Sequence, residues 1–216
     1  MHFEILVEDA SGKTALDILV PKIIGEKHTF RIYSYKGIGG KIPRDIHKKA
    51  DPAKRILLDN LPRLLQGYGK KHDPQLTVVV VCDLDTRCLK QFRQELDRVL
   101  RQCAPRPGAR FCIAVEEMEA WFLGNNEAVL KAYPKAKTAV LKTYRNDDIC
   151  GTWERLADAV YPDGAKALKK KGWQAVGAEK SRWASAIAPH IAISRNRSPS
   201  FAYFCENCGN RPDSSA

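Results

Sequence analysis

The chain predicts an α/β fold: a mainly parallel sheet flanked by helices, followed by a C-terminal helical extension. Three observations carry that reading. Strand-length apolar runs alternate with amphipathic helical stretches over the first 125 residues, the pattern of right-handed βαβ crossovers. The run at 76–82 is almost all valine, as in a strand covered on both faces. Beyond Gly124 the strand signal stops, and apolar residues recur only at helical intervals.

The elements follow in order. Residues 2–7 read as a strand, and a helix starts near Ser11 and runs through Ala15, Leu16, Leu19 and Ile23 until Gly25 ends it. Residues 29–35 form a second strand, bounded by the glycine-rich turn Gly37-Ile38-Gly39-Gly40-Lys41. Ile56, Leu57, Leu61, Leu64 and Leu65 give 52–68 a helical face, in which Pro62 implies a kink or a break. After the valine strand, Leu89, Phe92, Leu96, Val99 and Leu100 mark an amphipathic helix over 87–103, and Pro105 and Pro107 separate it from a strand at 111–115. Helices are expected around 128–133, 153–160 and 183–193. This divides the chain into an α/β unit (1–125), a helical extension (126–204) and a polar, disordered tail (205–216).

Composition narrows the classes. With 216 residues and 44% hydrophobic content the chain can bury a real core. It has no apolar run long enough to span a bilayer and no signal-peptide pattern at Met1-His2-Phe3-Glu4, so a cytoplasmic protein without a membrane partner is expected. Seven scattered cysteines fit a reducing compartment better than a disulfide framework. Cys205 and Cys208 have the spacing of half a zinc knuckle but lack a second pair. The formal net charge of +11 favours a polyanionic partner, with candidates at 44–49, 169–171 and Lys180.

Against that basic background, three acidic stations stand where apolar strands run out: Glu8, then Asp83 with Asp85, then Glu116, Glu117 and Glu119. Carboxyl ends of neighbouring parallel strands converge on one crevice. Carboxylates gathered there repel unless a cation joins them, and hard oxygen ligands suit Mg²⁺. Any single station also fits a helix N-cap. Asp83 and Asp85 exceed what a cap requires, because side chains two apart after a strand point to the same side.

Other motifs carry less. Gly37, Gly39, Gly40 and Lys41 could contact a phosphate through exposed backbone N–H groups, but the spacing is not that of a P-loop, and a glycine turn is the commoner explanation. None of the five histidines joins a nucleophile motif. The four tryptophans are expected as core anchors rather than stacking platforms.

Phe3-Glu4-Ile5-Leu6-Val7-Glu8, the glycine turn, the strand ending Asp83-Leu84-Asp85, and Ala114-Val115-Glu116-Glu117-Met118-Glu119-Ala120-Trp121 resemble the successive motifs of a Toprim domain. The likeness is greatest to bacterial Toprim-like proteins related to the nuclease half of the overcoming-lysogenization-defect proteins. Weaker likeness extends to Gly151-Thr152-Trp153-Glu154, Lys180 with Trp183, and Ser198-Pro199-Ser200-Phe201. The resemblance implies that Glu8 acts as general acid or base, that Asp83 and Asp85 hold Mg²⁺ (or Mn²⁺), and that Glu119, or its neighbour Glu116, completes the metal site.

Lys180 is then a candidate phosphate contact. Topoisomerases and primases have Gly after the first glutamate, whereas this chain has Asp9, and their partner regions are missing. The expectation is a metal-dependent nuclease acting on DNA or RNA, in phage defence beside a separate ATPase. The alternatives are a non-catalytic subunit that binds nucleic acid or an ATPase, and a small-molecule phosphotransferase.

Overall fold

In the computed structural model, which describes residues 1–37, 39, 42, 43, 45, 51–148 and 150–209, four strands form one parallel sheet. They are β1 (His2–Val7), β2 (Thr29–Ser34), β3 (Leu76–Asp83) and β4 (Ala109–Ala114), arranged in the order β2-β1-β3-β4. Val7 lies opposite Ser34 on one side and Val81 on the other, and Asp83 lies opposite Ala114. Three strand ends, those of β1, β3 and β4, therefore come out side by side.

The strand alternation sorts side chains onto two cores. Phe3, Ile5, Val7, Val79 and Val81 pack with Leu16 and Leu19 of helix α1 (Ala10–Ile24) on one face. Leu6, Val78, Val80 and Cys82 face helices α2 (Leu57–Gly69) and α3 (Leu89–Gln102) on the other. The valine run is thus buried on both sides, as its composition requires. The break expected at Pro62 falls earlier: Arg55, at φ 49°, separates a short 3-10 turn from α2, and Pro62 stays inside the helix.

No strand follows β4 among the described residues. The chain continues as α4 (Glu119–Leu123), α5 (Asn126–Ala132), α6 (Thr138–Lys142), α7 (Thr152–Val160), α8 (Gly164–Lys170), α9 (Trp173–Ile187) and α10 (Pro199–Cys208). These helices share the α1 core: α9 packs on α1 and α10 on β4, placing Trp121, Trp153, Trp183, Phe201 and Phe204 in one cluster with the sheet.

Two sequence expectations need correction. Trp173 is no core anchor, because 69% of its surface is exposed. Residues 205–208 are helical rather than disordered: Ser198 caps α10 by accepting from the Phe201 N–H, and Phe201, Phe204 and Cys208 fall on one buried face. No helix is long and apolar enough to cross a membrane among the described residues.

A candidate site at the carboxyl edge of the sheet

The parallel ladder continues past the strands. Tyr35 N–H donates to Val7 O (2.9 Å), Gly37 N–H to Glu8 O (2.8 Å), Leu84 N–H to Ala114 O (2.9 Å) and Asp85 N–H to Glu116 O (2.8 Å). The acidic stations are consequently fixed by backbone pairing, not left on free loops. Glu8 reaches sideways from β1, and its Oε2 accepts the Asp83 N–H of β3 at 3.0 Å. The third station joins through helix α9. Lys180 Nζ lies 3.1 Å from Glu117 Oε2 and 3.2 Å from Glu119 Oε2, with the Glu119 side chain only 3% exposed.

The electrostatics reflect the crowding. Burial pushes the Glu8 carboxyl from its ordinary 4.5 up to about 7, with Asp85 and Asp9 adding repulsion and the Asp83 N–H and Lys180 opposing. Asp83, although partly open to solvent, is pushed well above the carboxylate range, first by burial and then by Glu8, Glu119 and Glu117, against the pull of Lys180. Burial and Glu119 raise Glu117 to about 7. Burial alone would lower the Lys180 pKa; Glu119, Glu117 and Asp83 outweigh it and raise it. Among the described residues, the Lys180 ammonium thus faces several carboxylates at once.

The remaining candidates go elsewhere. Both oxygens of Glu116 are taken by backbone donors at the start of α7: Gly151 N–H on one and Thr152 N–H on the other at 2.6 Å. Glu116 therefore caps α7 from a distance. Asp85 pairs with Arg87 at 2.8 Å, and the same guanidinium donates to Gly39 O at 2.8 Å. Asp85 and Glu116 both have positive φ, 50° and 61°, which is unfavourable for a side chain as bulky as glutamate. The strain sits where the β3 and β4 ends meet.

Of the glycine turn, Gly37 spends its N–H on Glu8 O. Gly39, at φ +86°, has no room for a Cβ, which would lie 2.3 Å from Ile56. The structure gives Gly39 a packing role, whereas Gly37, at φ +89°, has open space where a Cβ would be. Gly40, Lys41 and most of the basic stretch 44–49 lie outside the described residues.

Asp9, the departure from the Toprim pattern, caps α1 by accepting from Gly12 N–H (2.7 Å) and Ser11 Oγ (2.6 Å). The late motif around Ser198 proves to be a brace. Asp147 accepts from Ser198 Oγ (2.9 Å) and Ser200 N–H (2.6 Å), and Trp121 Nε1 donates to Ser200 Oγ (3.0 Å). Sequence reasoning placed Glu117 in the third station without giving it a role and passed over Arg87. Glu117 was visible within the third station, but only the placement of α9 shows that Lys180 pairs with it.

Glu116→Ala is expected to cost about 1–2 kcal/mol of stability, the usual loss of a cap, in urea unfolding followed by circular dichroism. Loss of Mn²⁺ binding with unchanged stability would instead return Glu116 to the metal candidates.

Fold and site together define an α/β protein whose parallel sheet collects partly buried carboxylates and Lys180 at its carboxyl edge. The chain belongs to the family of the domain of unknown function DUF4276, whose model matches residues 7–207. That span includes Glu8, Asp83, Asp85, the third acidic station and Lys180. No match is found among curated proteins or solved structures.

Proposed function

We propose that this protein is a Mg²⁺-dependent phosphodiesterase of the Toprim type that cuts nucleic acid. The observation that carries the reading is the junction of Glu8 and Asp83 across adjacent strand ends, in which two carboxyl groups resist ionisation, first because burial strips them of water and then because neighbouring carboxylates repel them. A donor set of hard carboxylate oxygens in that condition fits a divalent cation. Asp83 and Glu119 are the residues that would hold it, with Glu8 beside them and with Asp85 joining only by giving up its pair with Arg87.

As the structure stands, no three His, Cys, Asp or Glu side chains among the described residues form a ready ligand set, and Lys180 engages the third station. The chemistry that such an ion supplies when bound is polarisation of the phosphate and a lowered pKa for an attacking water. Glu8, with a pKa of about 7, suits proton transfer near neutrality. Lys180 supplies positive charge for a phosphate oxygen. Cooperation with a separate ATPase in phage defence enters only through the likeness to Toprim nucleases.

The pairing of Lys180 with Glu117 and Glu119 favours a second reading, a non-catalytic Toprim-like subunit whose lysine substitutes for the metal. Incubating the purified protein with labelled single-stranded DNA, duplex DNA and tRNA separates the two. Cleavage with Mg²⁺ or Mn²⁺ and none with EDTA is expected. Intact substrates under every condition, with no heat of Mn²⁺ binding by calorimetry, would leave the non-catalytic reading.

A further inference from the structure

Helix α9 carries a stripe of residues at helical spacing, namely Trp173, Val176, Lys180, Trp183 and Ile187. Val176, Trp183 and Ile187 are buried, and Lys180 reaches the carboxylate cluster. Trp173 heads the same stripe, yet it is 69% exposed. It lies about 10 Å along the helix from Lys180, at 1.5 Å rise per residue. Exposed tryptophan is unusual, since the ring carries one of the largest apolar surfaces of any side chain.

Its ring is held rather than loose. Trp153, buried beside the α7 start that Glu116 caps, meets it edge-on at 6.2 Å between ring centroids. Lys169 stands 5.7 Å from the ring centre. Lys166, Lys169, Lys170 and Lys171, just before it in the chain, are all exposed, and Lys171 lies over the Tyr161 ring, 5.4 Å from its centre. A fixed aromatic plane within a cationic surface matches the two demands of an unpaired nucleotide strand: a face for the base and positive charge for the backbone. A duplex offers its phosphates but keeps its bases stacked away from such a plane.

We propose that Trp173, with Lys169, Lys170 and Lys171, is a docking surface for single-stranded nucleic acid, stacking a base about 10 Å along α9 from Lys180. This deepens the phosphodiesterase reading by naming the strand form of the substrate, and it rests on that reading only for the cleavage step, not for binding.

The test measures binding in EDTA at low salt, so that no cleavage is needed. Fluorescence anisotropy of labelled oligo-dT and of a duplex of equal length is compared for the full chain, Trp173→Ala and Trp173→Phe, with thermal melts confirming that each variant folds. Trp173→Ala should weaken oligo-dT binding by roughly tenfold, in line with the stacking contribution of one base, and duplex binding hardly at all; Trp173→Phe should recover most of the loss.

Equal losses on both forms, no loss on either, or no binding to either would overturn the proposal. So would Trp173-dependent binding to anionic phosphatidylserine vesicles in preference to oligo-dT, which would make this a membrane-facing surface. Absence of cleavage alongside intact, Trp173-dependent binding would count against the phosphodiesterase reading alone.

Discussion

Glu8→Gln is expected to slow Mg²⁺-dependent cleavage by roughly 10²–10⁴-fold, the usual contribution of a positioned acid or base, while leaving the fold as stable as before or more so. Both effects come from the same burial. A Gln side chain keeps an oxygen to accept the Asp83 N–H that Glu8 binds at 3.0 Å, but it cannot take or give the proton.

The stability sign comes from the raised pKa. A carboxyl whose folded pKa is about 7 against an ordinary 4.5 binds more protons folded than unfolded between those values, so its contribution is complete below about 4.5 and is lost as the pH rises through about 7. At pH 8 the native protein therefore carries an ionised Glu8 at a cost that Gln removes. Cleavage rates at several pH values and melting temperatures at pH 5 and pH 8 would check both halves. Unchanged cleavage, or a variant that melts well below the parent at pH 8, would remove Glu8 from the proton-transfer role.

The fold was legible because its signals were periodic. The apolar run of β1, the continuous valines of β3 and the helical spacing of α1 and α3 each answer to a buried surface. The strand ends could be located for the same reason, and with them Glu8, Asp83 and the third station.

What the sequence did not disclose was which carboxylate at the third station faces the cluster. Glu116, Glu117 and Glu119 differ by the turn of one backbone, and the positive φ of Glu116 sends its side chain to α7 while its neighbours meet Lys180. Trp173 escaped for a related reason. Its place on the α9 stripe is that of a core residue, but as the first residue of the helix it is left exposed. The segment 205–208 looked like tail because its composition is polar, but Phe204 and Cys208 continue the buried face of α10.

Lys180→Met is expected to destabilise the protein by about 3–5 kcal/mol at neutral pH, the range for removing one partner of a buried ion pair. Glu119 is almost wholly buried, Glu117 shares the ammonium with it, and Asp83 also depends on that charge. With the ammonium gone, protonation is the remaining relief for these carboxyls. Glu117, already at about 7 beside the lysine, should then rise further.

The folded variant would hold protons that its unfolded form releases above the ordinary carboxylate range, so its stability deficit should shrink as the pH falls from 8 towards 5. Met keeps the length and apolar stem of the lysine, so a cavity does not account for the loss. Urea unfolding of the parent and the variant across that range measures the difference directly. A deficit that is constant with pH would mean that Lys180 acts by packing. Added Mn²⁺ that restores the variant at pH 8 more than it stabilises the parent would show that a divalent ion and the ammonium serve the same carboxylates, which is what the phosphodiesterase reading requires of this site.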